Sequence, residues 1–555
     1  MTQITKIEFD KSFYQPGEEV HLTVHVHSQV KNATRVQLDV IITYLTDVIE
    51  QFSTERSLID GDNVVTVTFK PPDVAPRGYG VELRMEGAND EVLDSTSTAF
   101  DVLIHWTQSP RYGFLSEFPP GRSDIEETIT TLNRYHINAL QFYDWMYRHE
   151  QSLSKEEPYV DLLGRQLSLA TVNRFIASAH ERNMSAMPYT AVYGASLDFY
   201  RQHPDWAMLK SNGEPFYFGE DYLVIMDIRP GSPWVEHMMT EFDQILTQTA
   251  FDGIHLDQYG DPKEGFDADG NKYSLADPLA KFINETKVHV LAQREDGAVV
   301  FNAVTNWPIE SVAPAEQDMV YIEVWPPYRW FDDLHRLIVQ AQKVGHGKAV
   351  VLAAYINPQH VHNILLADAV IFASGGGHIE LGEANTILAD AYFPNHGSVN
   401  EQLTIALQRY YDFTVRYQDV IGPRTEDATQ EFNGNIEIKV LDTGEEINTA
   451  ANAVKNKIWP IVRTGKGFTA ISLINLLGLD ASDWKEPITN APNVLGVTEV
   501  RVENLEQGAS HVWLASPDSG DLSIQQLQFK QDNGSLVFEI PSLLYWDLIV
   551  IEWEE

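Results

Sequence analysis

The first hundred or so residues alternate hydrophobic and polar positions in short segments that turn residues separate. A two-residue period places successive side chains on opposite faces, so each segment predicts a strand with one buried face. The segments are Ile4–Phe9, Val20–Val26, Gln37–Tyr44, Val64–Phe69, Tyr79–Met85 and Thr98–Ile104. Short strands at this spacing predict an immunoglobulin-like β-sandwich over residues 1–106.

The pattern changes between about residues 107 and 425, where apolar strands alternate with amphipathic helices. The predicted strands are Tyr112–Phe118, Ala139–Asp144, Ser185–Tyr193, Asp252–Gln258, Val299–Thr305, Met319–Trp325, Ala349–Tyr355 and Ala369–Ser374. Eight strand–helix repeats predict a central (β/α)8 TIM barrel over residues 107–425. The stretch 194–231 exceeds an ordinary connection and is a candidate active-site loop.

A last helix near Gln402–Tyr417 leads into a second β-rich region. Its predicted strands are Asn435–Leu441, Lys457–Arg463, Phe468–Leu473, His511–Leu514, Ser535–Ile540 and Leu548–Trp553. These segments predict a C-terminal β-sandwich over residues 426–555.

Charge and cysteine content exclude several classes of function. The 80 acids against 39 Lys and Arg give a net charge of −41, which repels nucleic acid and anionic membranes. Cysteine is absent, which excludes disulfides, a thiol nucleophile and thiolate metal sites. No apolar run long enough to span a membrane and no signal peptide is visible. We therefore expect a cytoplasmic protein, or a secreted one if a leader has been removed, with its oligomeric state left open.

The segment Phe251–Asp261 predicts a short buried strand that ends in acid, amide, aromatic and glycine residues. At the strand period, Gly253, His255, Asp257 and Tyr259 share one face. Asp257 would then point inward at the end of a barrel strand, where barrel enzymes keep their chemistry. An acidic loop after a core strand would give the same pattern.

Glu323 is the predicted partner of Asp257, because Met319, Tyr321, Glu323 and Trp325 share the inward face of the sixth strand. Glycoside hydrolysis requires two carboxylates that flank one bond. A separation of about 5–5.5 Å gives retention and about 6.5–9.5 Å gives inversion. The fourth and sixth strands are next-nearest neighbours, which favours the shorter distance. Alternatively, Glu323 neutralises Arg329.

Other polar and aromatic residues near the strand ends suit a neutral sugar, because rings pack on aromatic faces while amides and acids bind hydroxyls. The predicted substrate-binding residues are Tyr143, Asp144, Trp145, His149, Tyr189, Tyr193, His255, Gln258, Asn306, Trp325, Gly376 and Glu383. For any single aromatic residue among them, core packing is the alternative.

One segment of the sequence has part of the pattern of a metal-binding loop. The side chains of Asp267, Asp269 and Asn271 have the spacing of a calcium-binding loop. The segment lacks the glycine at the sixth position and the closing glutamate of such a loop, which favours a solvated turn. Gly375–Gly377 would suit an anion or a simple turn. No context for a hydrolase triad or zinc site occurs. We expect no cofactor, a structural calcium ion being the one alternative.

Several blocks, in order along the chain, resemble glycoside hydrolase family 66, the endo-dextranases and cycloisomaltooligosaccharide glucanotransferases. They are Phe13–Glu18, Ile137–Met146 with His149, Pro188–Ala195, Phe251–Asp257, Tyr321–Trp325 and Ile458–Arg463. The resemblance implies an immunoglobulin-like domain, a catalytic barrel and a C-terminal Greek-key β-sandwich. It also implies a retaining mechanism on α-1,6-linked glucan, with dextran or an isomaltooligosaccharide as substrate. Asp257 matches the family nucleophile, and Glu323 matches the acid/base.

One absence bears on the activity within this family. The cyclising transferases carry a carbohydrate-binding module between barrel strands 7 and 8, whereas one short predicted helix separates Tyr355 from Ala369 here. This favours a hydrolase, a dextranase. The alternatives are a related glucanotransferase or transglycosylase, a barrel glycosidase for another linkage, and an inactive glucan-binding protein. The presence of both Asp257 and Glu323 argues against the last.

Overall fold

The structure is a computed structural model that describes residues 2–30, 33–220, 222–267 and 269–554. The N-terminal strands are β1 Thr2–Phe9, β2 Val20–Ser28, β3 Thr34–Tyr44, β4 Asp47–Leu58, β5 Gly61–Phe69, β6 Arg77–Glu86 and β7 Val92–Val102. They form two antiparallel sheets, β1-β2-β5 and β4-β3-β6-β7, whose buried faces share one hydrophobic cluster. Every predicted strand in this region is confirmed. The sequence analysis missed β4, because this edge strand is exposed along most of its length and lacks an apolar face.

The central region is built on a mostly parallel sheet. Its strands are β8 Tyr112–Leu115, β9 Ala139–Phe142, β10 Tyr159–Val160, β11 Gln166–Leu167, β12 Ser185–Ala191, β13 Gly194–Ala195, β14 Tyr217–Phe218, β15 Leu223–Ile225, β16 Gly253–Asp257, β17 Glu264–Phe266, β18 Lys272–Ser274, β19 Ala298–Asn302, β20 Met319–Glu323, β21 Val350–Ala353, β22 Gly377–His378, β23 Leu381–Gly382, β24 Thr386–Leu388 and β25 His396–Ser398. The helices are α1 Ile125–Asn133, α2 Leu169–His180, α3 Leu197–Gln202, α4 Pro233–Gln248, α5 Ala276–Gln293, α6 Ile309–Val312, α7 Phe331–Val344, α8 Val361–Ala373, α9 Glu401–Arg416 and α10 Gln418–Ile421.

Within the described residues, eleven of these strands form one sheet in the order β22-β21-β20-β19-β16-β12-β9-β8-β23-β24-β25. Neighbours from β22 to β23 pair in parallel. The strands β22 and β23 lie at opposite ends of this parallel run, yet only two residues separate them in the chain. The parallel run is therefore curled, and its two end strands are consecutive in the chain.

The inside of the curl is filled by side chains at the two-residue strand period. Tyr112 and Phe114, Val300, and Met319 with Tyr321 belong to one buried cluster there. Gly253 begins β16, and a Cβ atom at this position would lie 1.9 Å from the carbonyl oxygen of Ala298, so no larger residue fits. The opposite, apolar faces of the strands pack against the helices.

The predicted eighth strand, Ala369–Ser374, is wrong. Residues 361–373 form α8, and the strand that follows β21 begins at Gly377. Every residue of α8 from Asn363 onward is buried, so the segment is hydrophobic on all sides and its period does not distinguish helix from strand.

The C-terminal strands are β26 Glu426–Asp427, β27 Ile436–Val440, β28 Glu446–Ile447, β29 Ile458–Gly465, β30 Phe468–Asn475, β31 Thr498–Val502, β32 Ala509–Ala515, β33 Gln525–Gln526, β34 Phe529–Asp532, β35 Ser535–Ile540 and β36 Trp546–Trp553. They form the sheets β26-β29-β30-β36-β32-β33 and β28-β27-β31-β35-β34, which share a hydrophobic cluster. In the part of the chain that the structure describes, no helix has the length and apolar character to cross a membrane.

Buried ion pairs and hydrogen bonds join the three regions. Arg111, just before β8, binds both carboxylate oxygens of Asp101 in β7 at 2.9 and 3.0 Å. Arg416 of α9 donates to Glu82 of β6 at 2.9 Å. On the other side, Arg463 of β29 is buried against the turn after α8 and donates to the carbonyl oxygen of Ser374. These contacts hold both β-rich regions against the central sheet.

Candidate active site

The C-terminal ends of the parallel strands open into a cavity of about 600 Å³. Three neighbouring strands each contribute their last residue to its floor: Asp257 from β16, Asn302 from β19 and Glu323 from β20. Ligand sites in parallel sheets form at this edge because the strand ends and their loops converge there.

A single amide group joins the two acids. The Nδ2 atom of Asn302 donates to Oδ1 of Asp257 at 2.7 Å and to Oε2 of Glu323 at 3.0 Å. The sum of these two lengths is an upper limit on the separation of the two oxygens. That limit lies below the range of about 6.5–9.5 Å at which two carboxylates leave room for a water between acid and base.

Each acid also accepts a hydrogen bond from a buried tyrosine. The hydroxyl of Tyr189 donates to Oδ2 of Asp257 at 2.8 Å, and the hydroxyl of Tyr355 donates to Oε1 of Glu323 at 2.8 Å. Donors on all four carboxylate oxygens fix the side-chain rotamers. The sequence analysis named Tyr189 as a site residue but not Tyr355, which ends the predicted strand Ala349–Tyr355, or Asn302, which lies within the predicted strand Val299–Thr305.

Burial raises the pKa of Asp257 to about 7, and the negative charge of Glu323 adds to the rise. Burial also raises the pKa of Glu323 above its usual range. Two interacting carboxyl groups titrate as a unit. Burial and mutual repulsion therefore keep a proton on the pair to higher pH than on an isolated carboxyl group, and one protonated acid beside one ionised acid is the state that acid–base chemistry on a glycosidic bond requires.

Aromatic rings form the walls of the cavity. Tyr143 stacks on Phe393 with ring centroids 4.4 Å apart, and Phe218 stacks on Tyr259 at 4.3 Å. Phe218, with Tyr222 and Leu223, comes from the long segment 194–231 that was predicted to be an active-site loop. Phe393 belongs to the loop 390–393, which the sequence analysis missed because it follows β24 rather than a predicted strand.

Most of the predicted site residues line this cavity. They are Tyr143, Asp144, His149, Tyr189, Asp257, Gln258, Glu323 and Trp325. Asp144 adopts a left-handed φ of 48°, and burial raises its pKa to about 6 although Arg165 lies 3.4 Å away. Burial lowers the pKa of His149 to about 4, so its imidazole is neutral at physiological pH.

Three other predicted residues support the cavity from behind. His255 lies one layer below Asp257 inside the curled sheet, where its Nδ1 atom is 3.0 Å from the hydroxyl of Tyr112. Trp145 is buried and donates to the carbonyl oxygen of Tyr189 at 3.2 Å. Tyr193 bonds Gln258 at 3.3 Å and accepts the N–H of Tyr259. These three residues position their neighbours but do not line the cavity. For Trp145 and Tyr193, the alternative of core packing therefore describes their place.

The last three predicted substrate contacts lie outside the cavity. Asn306 donates to Gln340 of α7 at 3.0 Å. Glu383 accepts the backbone N–H groups of Ser116 and Glu117 and pairs with Arg122, so its carboxylate is fully used. Gly376 precedes β22 and therefore lies at the end of the strand away from the cavity. Gly376 was predicted to follow the eighth strand because the sequence predicts that strand over Ala369–Ser374, whereas this segment belongs to α8 and the turn after it.

Contacts of Arg329 and Asp267 bear on two alternatives that the sequence left open. Arg329 pairs with Asp483 and not with Glu323, so Glu323 is not held by that guanidinium. In the loop after β17, the carboxylate of Asp267 accepts the backbone N–H groups of Asp269 and Asn271 at 3.0 and 2.8 Å. These bonds are those of an Asx turn. A calcium ion there stays a prediction, as does the absence of a cofactor.

Comparison with known proteins assigns the chain to a family. It is 24% identical to a cycloisomaltooligosaccharide glucanotransferase from Niallia circulans, over 99% of this chain and 72% of the relative. It is 23% identical to a dextranase from Streptococcus salivarius, over 86% of this chain and 67% of the relative. The crystal structure of a cycloisomaltooligosaccharide glucanotransferase from Paenibacillus sp., complexed with cycloisomaltoheptaose, has the same fold, with a TM-score of 0.90. That structure is 23% identical and covers 99% of this chain and 100% of its own. The family model for glycosyl hydrolase family 66 matches residues 9–550, and the chain therefore belongs to that family.

Proposed function

We propose that this chain is a retaining endo-glycosidase, a dextranase that hydrolyses α-1,6-glucosidic linkages of dextran or isomaltooligosaccharides by double displacement. The observation that carries the proposal is the amide of Asn302, which holds the carboxylates of Asp257 and Glu323 side by side. The two oxygens that this amide binds lie closer together than the separation that leaves room for a water between acid and base, which supports direct attack of Asp257 on the sugar.

We infer that the curled parallel sheet closes as a (β/α)8 barrel, with residues 377–382 as its eighth strand. The support is that Leu352 pairs with His378 on one side and Phe114 pairs with Gly382 on the other. We also propose the boundaries 1–106, 107–425 and 426–555, with an immunoglobulin-like sandwich first and a Greek-key sandwich last. The separate hydrophobic clusters of the N-terminal and C-terminal sheets support this division.

In the first half of the proposed reaction, Asp257 is the nucleophile and Glu323 the acid. A carboxylate oxygen of Asp257 attacks the anomeric carbon while Glu323 gives its proton to the glycosidic oxygen. The bond between that carbon and oxygen breaks, the leaving sugar departs, and an ester joins the remaining sugar to Asp257.

In the second half, a water molecule takes the place of the leaving sugar. Glu323, now a carboxylate, removes a proton from this water as the oxygen attacks the anomeric carbon. The ester bond breaks, Asp257 is released as a carboxylate, and the product keeps its original configuration.

The proton of the pair must lie on Glu323 when the substrate reacts. Positive charge develops at the anomeric carbon, and that carbon lies against Asp257 in the proposed complex. An adjacent positive charge lowers the pKa of a carboxyl group, so the shared proton moves to Glu323 as the transition state forms.

The lack of an inserted module between β21 and β22 favours hydrolysis over cyclisation. Between β21 and β22 the structure holds a single helix, α8, with no room for an inserted module. The alignment with the Niallia circulans glucanotransferase extends over 711 residues, so that relative carries segments absent from this chain of 555. The second candidate is nevertheless a glucanotransferase, because that relative and the Paenibacillus structure carry this name.

Product analysis separates these candidates. The chain is incubated with dextran and, separately, with short isomaltooligosaccharides, and linear and cyclic products are resolved by chromatography. Linear products that shorten with time support the dextranase. Cyclic products, or linear products longer than the substrate, would support the transferase, and no conversion of either substrate would support a glucan-binding protein.

Azide tests the roles of the two acids on an aryl glycoside with a good leaving group. Glu323→Ala should form a glycosyl azide of retained configuration, because the enzyme ester still forms. Asp257→Ala should form one of inverted configuration, because azide then attacks the substrate directly. Asp198→Ala is the matched control, since this acid on α3 is 85% exposed. Wild-type hydrolysis in either active-site variant would refute the assignment.

A further inference from the structure

A second group of ionisable side chains is buried behind the catalytic sheet. His378 of β22 and Glu380 face away from the inside of the curl, whereas Ile379 between them faces inward. Asp368 reaches them from α8 and Tyr411 from α9. The exposed fractions of His378, Glu380 and Asp368 are 3%, 1% and 0%, and the proposed reaction uses none of them.

The hydrogen bonds of His378 define where its lone pair points. Its Nε2 atom lies 3.0 Å from the carbonyl oxygen of Ala354, which only accepts, so Nε2 carries a proton. In the neutral imidazole, Nδ1 then carries the lone pair. This atom lies 2.8 Å from Asp368 Oδ1 and 3.5 Å from Glu380 Oε2. A lone pair and two carboxylates therefore converge.

The carboxylates are only partly satisfied by the protein. Glu380 Oε1 accepts the hydroxyl of Tyr411 at 3.1 Å. Among the described residues, Glu380 Oε2 and Asp368 Oδ2 have no hydrogen-bond donor, although both are buried. One ligand atom from each of Asp368, His378 and Glu380 lies within 4.8 Å of the others.

The negative charges of Asp368 and Glu380 also favour a bound cation. Two carboxylates buried side by side are costly in the interior unless a positive charge lies beside them. Within the described part of the chain, neither acid forms an ion pair with Lys or Arg, and His378 is the one basic side chain that pairs with them. A bound cation would satisfy the lone pair, the two orphaned oxygens and the charge together.

We propose that Asp368, His378 and Glu380 bind one divalent transition-metal ion, for which Zn²⁺ is the best match. One imidazole and two carboxylates are ligands that Zn²⁺ accepts, and Ca²⁺ and Mg²⁺ prefer oxygen alone. The surrounding contacts are those of a metal site, where the second ring nitrogen of histidine donates to a carbonyl group.

The ion would act as a structural clamp. Residues 377–382 join the two ends of the parallel sheet, and the ligands tie this segment to α8. His378 also donates a hydrogen bond to the carbonyl oxygen of Ala354. Ala354 precedes Tyr355, and the hydroxyl of Tyr355 donates to Glu323. Loss of the ion should therefore lower thermal stability directly and activity to a smaller extent.

The test measures metal in the whole protein. The chain is expressed with Zn²⁺ in the medium, desalted and analysed by elemental mass spectrometry, and about one equivalent per chain is expected. Asp368→Asn and Glu380→Gln, which keep the side-chain shapes, should each lower the metal content at least tenfold. Protein prepared with Co²⁺ should show the visible absorption of a bound ion, and each variant should lack it.

Asp547→Asn is the matched control, because Asp547 is another buried acid with an orphaned oxygen, and among the described residues no histidine pairs with it. It should keep the full metal content. Unfolding and refolding with a chelator should lower the midpoint of thermal unfolding by several degrees, and added Zn²⁺ should restore it. Metal-free wild-type protein that takes up no Co²⁺ and ignores chelators would overturn the proposal. Protons would then fill the cluster, and Asp368→Asn would be neutral or stabilising.

Discussion

At the scale of single residues, Asn302 lies between the two acids and donates one N–H to each. An amide is well suited to this position because it supplies two donors without adding a charge. A lysine would drive both acids into the ionised state, and a leucine would leave two buried oxygens without a donor. Asn302 thus sets both the spacing of the pair and the free energy of its charge.

The pH dependence of activity follows from the shared proton. The active state holds one proton, and the pKa of about 7 for Asp257 marks the step at which the pair loses it. Above this pH both acids are ionised, Glu323 has no proton for the leaving oxygen, and kcat/KM should fall roughly tenfold per pH unit. A pH–rate profile on an isomaltooligosaccharide measures this limb. Activity that still rises at pH 9 would contradict it.

Replacement of Asn302 by alanine should lower kcat about 100-fold, the usual cost of one lost donor in a catalytic site, with little change in KM. Because the lost bonds stabilised the ionised acids, the alkaline limb of the pH profile should also move to higher pH. Asn306→Ala is the control, since this asparagine bonds Gln340 outside the cavity and its loss should leave the profile in place. An unshifted limb in Asn302→Ala would mean a purely structural role.

At the scale of elements, the short strand pair β14 and β15 carries Phe218 over the cavity. The side chain is 40% exposed, and its inner face stacks on Tyr259 at 4.3 Å. An exposed phenylalanine ring at the mouth of a polar cavity offers an apolar face to a sugar ring. In the proposed reaction this element would therefore bring the long segment 194–231 into contact with the substrate.

Phe218→Ala should raise KM about fivefold with kcat nearly unchanged, because one aromatic contact contributes about 1 kcal/mol. The effect should appear on dextran and long isomaltooligosaccharides and fade on the shortest substrates, which do not reach the mouth. Steady-state kinetics over a series of chain lengths measure it. Tyr217→Ala is the control, as Tyr217 does not line the cavity. Equal changes for all chain lengths would place the contact elsewhere.

At the scale of the whole molecule, Asp101 joins the N-terminal sheets to the central region. It is fully buried, pairs with Arg111 and accepts a hydrogen bond from Gln418 of α10 at 3.0 Å. The N-terminal region is therefore held to the catalytic region by charges that solvent does not reach. Buried pairs of this kind are costly to break on one side.

Asp101→Ala should destabilise the protein by about 3–5 kcal/mol, because Arg111 is left buried and unpaired. Thermal unfolding should begin at a clearly lower temperature, while kcat/KM at low temperature stays close to that of the wild type. Asp62→Ala is the control, since Asp62 pairs with His27 but is 93% exposed. A stable Asp101→Ala protein would show that the N-terminal sheets are held mainly by apolar contacts.

Apolar segments between amphipathic helices were enough to find seven of the parallel strands, and the two-residue strand period was enough to predict that Asp257 and Glu323 point inward at strand ends. That information is local: a two-residue period assigns each side chain to a face whatever the strand later packs against. The same local reasoning failed at α8, where burial on all sides removes the period. It then placed Gly376 at the wrong end of its strand.

Charge, the absence of cysteine and the order of the strand-end motifs were determined by the sequence alone, and they already pointed to a neutral sugar. Which residues line the cavity was decided by the tertiary structure. Asn302, Tyr355 and Phe393 enter the site because strand register and a late loop bring them there, and residue type does not encode such distances. The same holds for Asp368, His378 and Glu380, which become one cluster only when a helix packs behind the strand.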